Sequence, residues 1–254
     1  MILDTFRLDG KVALVTGSTR GLGQGAAVAL AEAGADVALL DRGDASDTAE
    51  IVRATGRRAY LLRRDLVSAT PEQLAGAVDE TLAELGGLDI LVNNAGTIRR
   101  APAAEHSATD WDEVLAINLD SVFHLSQAAG RHMIAAGRGR IINVASMLSF
   151  QGGILVPGYT ASKHAVAGLT KALANEWAAA GVTVNAIAPG YMATDNTAPL
   201  RADEDRAASI LSRIPAGRWG DASDLQGAFV FLASDAASYL TGAVIPVDGG
   251  WLVR

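Results

Sequence analysis

Tyr159 and Lys163 stand four residues apart in GYTASKHAVAGLTKALANEW, an apolar helical run. Residues at i and i+4 project from one helix face, so the ammonium stands beside the phenol. A phenol ionises near pH 10, too high for a base at neutral pH, and an adjacent cation favours the phenolate. The pair makes a tunable proton donor and acceptor. Ser146, thirteen residues upstream at the end of GRIINVAS, offers a hydroxyl to a substrate carbonyl or alkoxide. A second chemistry lies in TGSTRGLG, where Gly17, Gly21 and Gly23 let the backbone approach a pyrophosphate and the following helix offers free N–H groups. Each feature alone has a plainer use: a Tyr–Lys pair as a surface contact, a strand-end serine as a helix cap, a glycine-rich turn as a tight connection.

The turn gains meaning from Asp41, which ends the second apolar run close to the offset of roughly 20 residues at which a carboxylate takes a ribose 2′-hydroxyl. A carboxylate there repels a 2′-phosphate, so NAD is expected over NADP. Arg20 inside the turn and Arg42 directly after Asp41 weigh against this, since either can reach a 2′-phosphate.

The elements that must carry these residues are visible as short Val-, Ile- and Leu-rich runs: KVALVTG, DVALLD, AYLLRRDL, LDILVNNAG, GRIINVAS, VTVNAIAPG and AVIPVDGG. They show little period-two alternation, as strands buried on both faces do. Ala-rich helical segments lie between them, and glycine closes several of their ends. Such alternation predicts an α/β fold, a Rossmann-type doubly wound parallel sheet with helices on both faces. Residues 1–254 are expected to form one domain. The stretch 191–220 is irregular and polar, follows a strand, and is expected to lie over the ligand crevice as a substrate lid.

Composition narrows the partners. Half of the 254 residues are hydrophobic and 19% are charged, enough for one sizeable core. Net charge is −7 with no basic stripe, which disfavours nucleic acid. No cysteine is present, which removes disulfides and thiolate chemistry. No apolar run approaches the roughly 18 residues of a membrane span, and MILDTFRLDGK does not read as a signal peptide, so a soluble cytoplasmic protein with no membrane partner is expected. The four histidines show no metal-ligand spacing, and no metal is expected.

Taken together, TGSTRGLG, RDL, NNAG, Asn118 in AINLDSVF, Ser146, YTASK and PGYMAT resemble the short-chain dehydrogenase/reductase family along essentially the whole chain. The resemblance implies a catalytic tetrad of Asn118, Ser146, Tyr159 and Lys163. Tyr159 would exchange the proton with the substrate oxygen, and Lys163 would lower its pKa and hold the nicotinamide ribose. Ser146 would polarise the carbonyl, and Asn118 would hold a water linking Lys163 to solvent. The cofactor site it implies takes in Gly17, Arg20, Gly21, Leu22, Gly23 and Asp41, with Asp65 and Leu66 at the adenine. Asn93, Ala95 and Gly96 would flank the cofactor, and Pro189, Gly190, Met192 and Thr194 would orient the carboxamide. A homotetramer is also implied, with the helices around Asn118 and Tyr159 as interfaces.

Within the family, NNAGTIRR, ASMLSFQGGI, NAIAPGYMATDNT, RIPAGRWG and VDGGWLVR are most similar to NAD-dependent dehydrogenases of deoxy keto-sugar acids. The implied substrate residues are Arg100, Met147, Gln151 and Asn196, beside Ser146 and Tyr159. Arg99 and Arg218 read instead as scaffold. An NADP-dependent 3-oxoacyl or gluconate 5-reductase is the alternative, and a non-catalytic dinucleotide-sensing module a more distant one.

Overall fold

Val12–Thr16 (β1), Asp36–Asp41 (β2), Ala59–Arg63 (β3), Ile90–Asn93 (β4), Gly139–Val144 (β5), Val182–Pro189 (β6) and Val244–Val247 (β7) are the strands of the computed structural model, which describes residues 1–254. They are the seven apolar runs of the sequence. All pair in parallel, in the order β3-β2-β1-β4-β5-β6-β7. The helices are α1 (Gly21–Glu32), α2 (Ser46–Ala54), α3 (Pro71–Leu85), α4 (Ala108–Leu115), α5 (Ser121–Ala136), α6 (Pro157–Trp177), α7 (Ala198–Ala202), α8 (Glu204–Leu211) and α9 (Ser223–Ala233).

The continuous apolar runs have a direct cause. Successive strand residues point to opposite faces, and both faces are covered. In β1, Ala13 and Val15 join a core with α1, α2 and α9, while Val12 and Leu14 join a second core with α3, α5 and α6. The two layers hold 24 and 21 buried residues, so the sheet lies between apolar slabs of nearly equal size. Helix ends follow local chemistry. Thr70 accepts from the Gln73 amide while the Gln73 side chain accepts from the Thr70 amide, a cap worth about 1 kcal/mol. Gly86, Gly137 and Gly181 close their helices in the left-handed conformation. Gly130 of α5 has a different reason: a Cβ there would stand 2.7 Å from the Trp177 ring of α6, which makes Trp177 a core residue.

Between α4 and α5 the chain widens into a π-turn over Ala116–Asp120, where the Ser121 amide reaches back to the Ala116 carbonyl. Asn118 sits in this turn and is fully buried. The stretch 191–220 folds as a cap over a small core to which the rest of the chain contributes: its Tyr191, Leu200, Ile210, Ile214 and Trp219 pack with Met147, Trp251 and Leu252. No helix is long and apolar enough to cross a membrane.

Candidate active site

From β1 the chain winds outward to β2 and β3 and then returns to place β4 on the opposite side, so the crevice of the sheet lies between β1 and β4. The hinge of that crevice is one threonine. Thr16 Oγ1 accepts from the amides of Asn94 and Ala95 at 3.0 and 2.9 Å, while Asn94 Nδ2 donates to the carbonyls of Thr16 and Gly17 at 2.9 and 3.2 Å. A cleft of about 560 Å³ opens above it at the carboxyl ends of the strands.

The glycine turn forms one wall. A Cβ on Gly23 would stand 2.0 Å from the Gly17 carbonyl oxygen and 2.4 Å from Asn94 Nδ2, so only glycine lets the turn close. No side chain caps α1, which leaves its first N–H groups for an anion in the cleft. The residues therefore fit the pyrophosphate of a dinucleotide. Asp41 lines the same wall, its Oδ2 accepting from the Thr19 amide and hydroxyl at 3.1 Å each and its Oδ1 from the Gly43 amide at 2.9 Å. Its carboxylate shapes the turn as well as facing the cleft. Arg42, Arg64, Asp65 and Leu66 continue this wall, and Pro189, Gly190, Met192 and Thr194 face it across the cleft.

The reacting end holds Ser146, Tyr159 and Lys163. Lys163 is only 4% exposed, with its Nζ donating to the Val144 carbonyl at 2.6 Å and standing 5.6 Å from the centre of the Tyr159 ring. Burial lowers its pKa from 10.5 to about 8. The half-buried Tyr159 phenol is pushed above its usual value by desolvation, against which hydrogen bonding with Ser146 and the charge of Arg100 pull it down. Ser146 Oγ accepts from the Leu148 amide at 3.1 Å, so the serine does cap the short turn that follows. That contact uses the oxygen and leaves the hydroxyl hydrogen for Tyr159 or a substrate.

The structure places several of the expected residues away from the cleft wall. Asn93 does not border the cleft: its amide donates to Ser126 Oγ and Asn143 Oδ1 at 3.0 and 2.9 Å within the core, because neighbouring strand residues face opposite ways and Asn94 takes the cleft side. Asn118 also stands behind the wall. Its Oδ1 accepts from the Thr97 amide at 2.8 Å, and its Nδ2 donates to the Thr97 carbonyl and Ser162 Oγ at 3.0 and 3.1 Å. Both amide hydrogens are thus taken by protein, and the side chain positions residues 96–97 against α6. Met147 is buried in the small core beneath the cap and does not line the cleft. Gln151 lies outside the cleft wall. Arg100 is exposed beside the cleft and donates to the Asn196 carbonyl at 2.8 Å, tying the loop after β4 to the cap. Asn196 itself borders the cleft. Arg99 pairs with Glu113 and Asp110, and Arg218 with Asp224, as scaffold residues do. Sequence reading missed Thr19, Arg64, Glu113 and Asp195 on the wall. Thr19 and Arg64 lie within the TGSTRGLG and RDL motifs and Asp195 in a segment expected over the crevice, whereas Glu113 had no signal.

A doubly wound parallel sheet, a glycine turn at its switch point and a Ser–Tyr–Lys group in one cleft define a dinucleotide-dependent oxidoreductase. The family profile described as enoyl-(acyl carrier protein) reductase matches residues 17–252. The chain is 57% identical over 255 aligned residues to 2-dehydro-3-deoxy-D-gluconate 5-dehydrogenase of Escherichia coli (strain K12), covering 100% of both chains. Among solved structures, a candidate 2-deoxy-D-gluconate 3-dehydrogenase from Agrobacterium tumefaciens with bound NADP is 53% identical with a TM-score of 0.92, covering 98% of this chain and 99% of that one. A gluconate 5-dehydrogenase from Burkholderia cenocepacia in complex with NADP and tartrate is 42% identical with a TM-score of 0.95, covering 100% of each. The chain belongs to the short-chain dehydrogenase/reductase family, and it is an NAD(P)-dependent oxidoreductase.

Proposed function

We propose that this chain interconverts a secondary alcohol and a ketone on a deoxy keto-sugar acid, with the activity of 2-dehydro-3-deoxy-D-gluconate 5-dehydrogenase. The observation that carries the reading is the Tyr159 phenol, set with Ser146 and Lys163 in the cleft that the glycine turn opens, in a chain 57% identical end to end to an enzyme of that name. A bound nicotinamide supplies or accepts the hydride. Tyr159 gives its proton to the substrate oxygen in reduction and takes it back in oxidation. The Ser146 hydroxyl donates to that oxygen, and Lys163, charged at neutral pH, favours the phenolate across the ring. Asn118 is a positioning residue in this scheme, acting through Thr97 and Ser162. Gly17 to Gly23, Asp65, Leu66, Ala95 and Gly96 cradle the cofactor, and Pro189 to Thr194 hold its carboxamide end.

Arg100 reads the substrate carboxylate at the mouth of the cleft, beneath residues 191–220 acting as a lid. Asp41 favours NAD over NADP, although the two solved relatives named above hold NADP. A homotetramer in the cytoplasm completes the reading, supported by Trp111, Phe123 and Ile134, partly exposed apolar residues on α4 and α5. A gluconate 5-reductase has one observation in its favour, the NADP- and tartrate-bound relative. Rates of NADH and NADPH oxidation with a panel of keto-sugar acids, keto-gluconates and 3-oxoacyl thioesters test the assignment. Turnover of deoxy keto-sugar acids with NADH is expected, and turnover confined to 5-keto-gluconate or 3-oxoacyl substrates overturns it.

A further inference from the structure

The glycine turn carries one cation, Arg20, and that cation is already engaged. Its Nε lies 2.7 Å from Oδ2 of Asp195, which belongs to the segment crossing the cleft after β6, and both residues line the cleft. The two segments approach closely here, with the Thr194 methyl 3.9 Å from a Cβ built on Gly21. On its other side Arg20 adjoins Thr19, whose amide and hydroxyl are fixed to Asp41. Arg20 therefore stands between two places where its guanidinium can serve: the Asp195 carboxylate, and a 2′-phosphate on the ribose beside Asp41.

We propose that Asp195 is a cofactor-selecting residue, which by holding Arg20 withholds the turn's cation from a 2′-phosphate and so tilts the choice toward NAD. The proposal rests on the reading of Asp41 as the acid that faces the ribose. A guanidinium makes its strong contacts as a directed fork, so one turned to Asp195 is not also extended to a phosphate. An NAD ribose offers a neutral hydroxyl and has nothing to draw Arg20 away, whereas a 2′-phosphate must compete with the carboxylate. Both side chains are more than 70% exposed, so water and salt weaken the pair. The selection is accordingly several-fold in size.

The test compares wild type, Asp195→Asn, Asp195→Glu, Arg20→Met and the double variant Arg20→Met with Asp195→Asn. Dissociation constants for NADH and NADPH are read from nicotinamide fluorescence. Asp195→Asn is expected to tighten NADPH relative to NADH by about two- to fivefold, the scale of one exposed charge contact. Asp195→Glu, which keeps the carboxylate, should leave the ratio near wild type. With Arg20 replaced, Asp195→Asn should no longer change the ratio. Asp195→Asn shifting both cofactors alike, or an effect that persists without Arg20, overturns the proposal. The wild-type ratio separately tests the Asp41 reading: a preference for NADPH there defeats that reading, while the double-variant comparison still decides whether Asp195 acts through Arg20.

Discussion

Lys163→Met removes a charge that the fold holds at a cost, and the cost has a characteristic dependence on pH. The ammonium is buried, and its pKa falls from 10.5 to about 8 because of that burial. A lysine whose folded pKa lies below its unfolded value destabilises the native state while it is charged. The penalty is complete below about pH 8 and shrinks as pH rises, because the unfolded chain then binds the extra proton; it is gone above 10.5. Each tenfold change in ionisation constant is worth about 1.36 kcal/mol, so the full penalty is about 3 kcal/mol, of which about 2 is relieved by pH 9.5. Methionine carries no such penalty at any pH. It leaves the Val144 carbonyl without its donor, a loss of about 1–3 kcal/mol that does not vary with pH. The two effects nearly offset at pH 7, where the variant should match or slightly exceed wild type. From pH 7 to 9.5 the difference should move by about 2 kcal/mol in favour of wild type. Urea unfolding at fixed protein concentration, followed by tryptophan fluorescence at several pH values, reads this directly. A difference that stays flat with pH, or that moves toward the variant, refutes the reasoning.

Tyr159→Phe should lower turnover about 10²- to 10⁴-fold, the value of one general acid, and leave NADH binding in place; wild-type turnover would remove Tyr159 from the mechanism. Arg100→Ala should raise KM for the sugar acid by about one to two orders of magnitude, as expected for a charge-assisted hydrogen bond, and cost little on an analogue whose carboxylate is an amide; equal losses on acid and amide would show that Arg100 acts through its hold on Asn196 instead. Gly23→Ala should lose NADH binding and about 1–3 kcal/mol of stability through overpacking, measured by fluorescence titration and urea unfolding, whereas Gly76→Ala on α3, with open space around its Cβ position, should gain about 0.5–1 kcal/mol.

The strands and the glycine turn were legible because their causes are local. A sheet covered on both faces needs continuous apolar runs, and a turn that closes only without a Cβ needs glycine. Tyr159 and Lys163 were legible because helical spacing sets them on one face. What the sequence hid depends on contacts between distant segments. Adjacent asparagines look alike in NNAG, yet Asn93 turns to Ser126 and Asn143 while Asn94 turns to the glycine loop. Met147 follows Ser146 and so invites a substrate role, but its partners Ile210, Ile214 and Trp251 arrive from far along the chain. Arg100 is likewise paired with a backbone carbonyl, that of Asn196, and such an acceptor carries no side-chain signal at all.

The π-turn between α4 and α5 is the place where this part of the chain has slack in length. A wide turn of this kind accommodates a residue that a regular helix at the same place would not. Deleting one residue between Ala116 and Asp120 would let the turn tighten to regular α geometry, so Val122, Leu125, Ala129 and Met133, all now buried, would stay against the sheet and Gly130 would still face Trp177. The loss would fall on Asn118 and its hold on Thr97 and Ser162. A residue lost from the regular part of α5 meets no such slack, and every side chain beyond it would turn by about 100° around the axis.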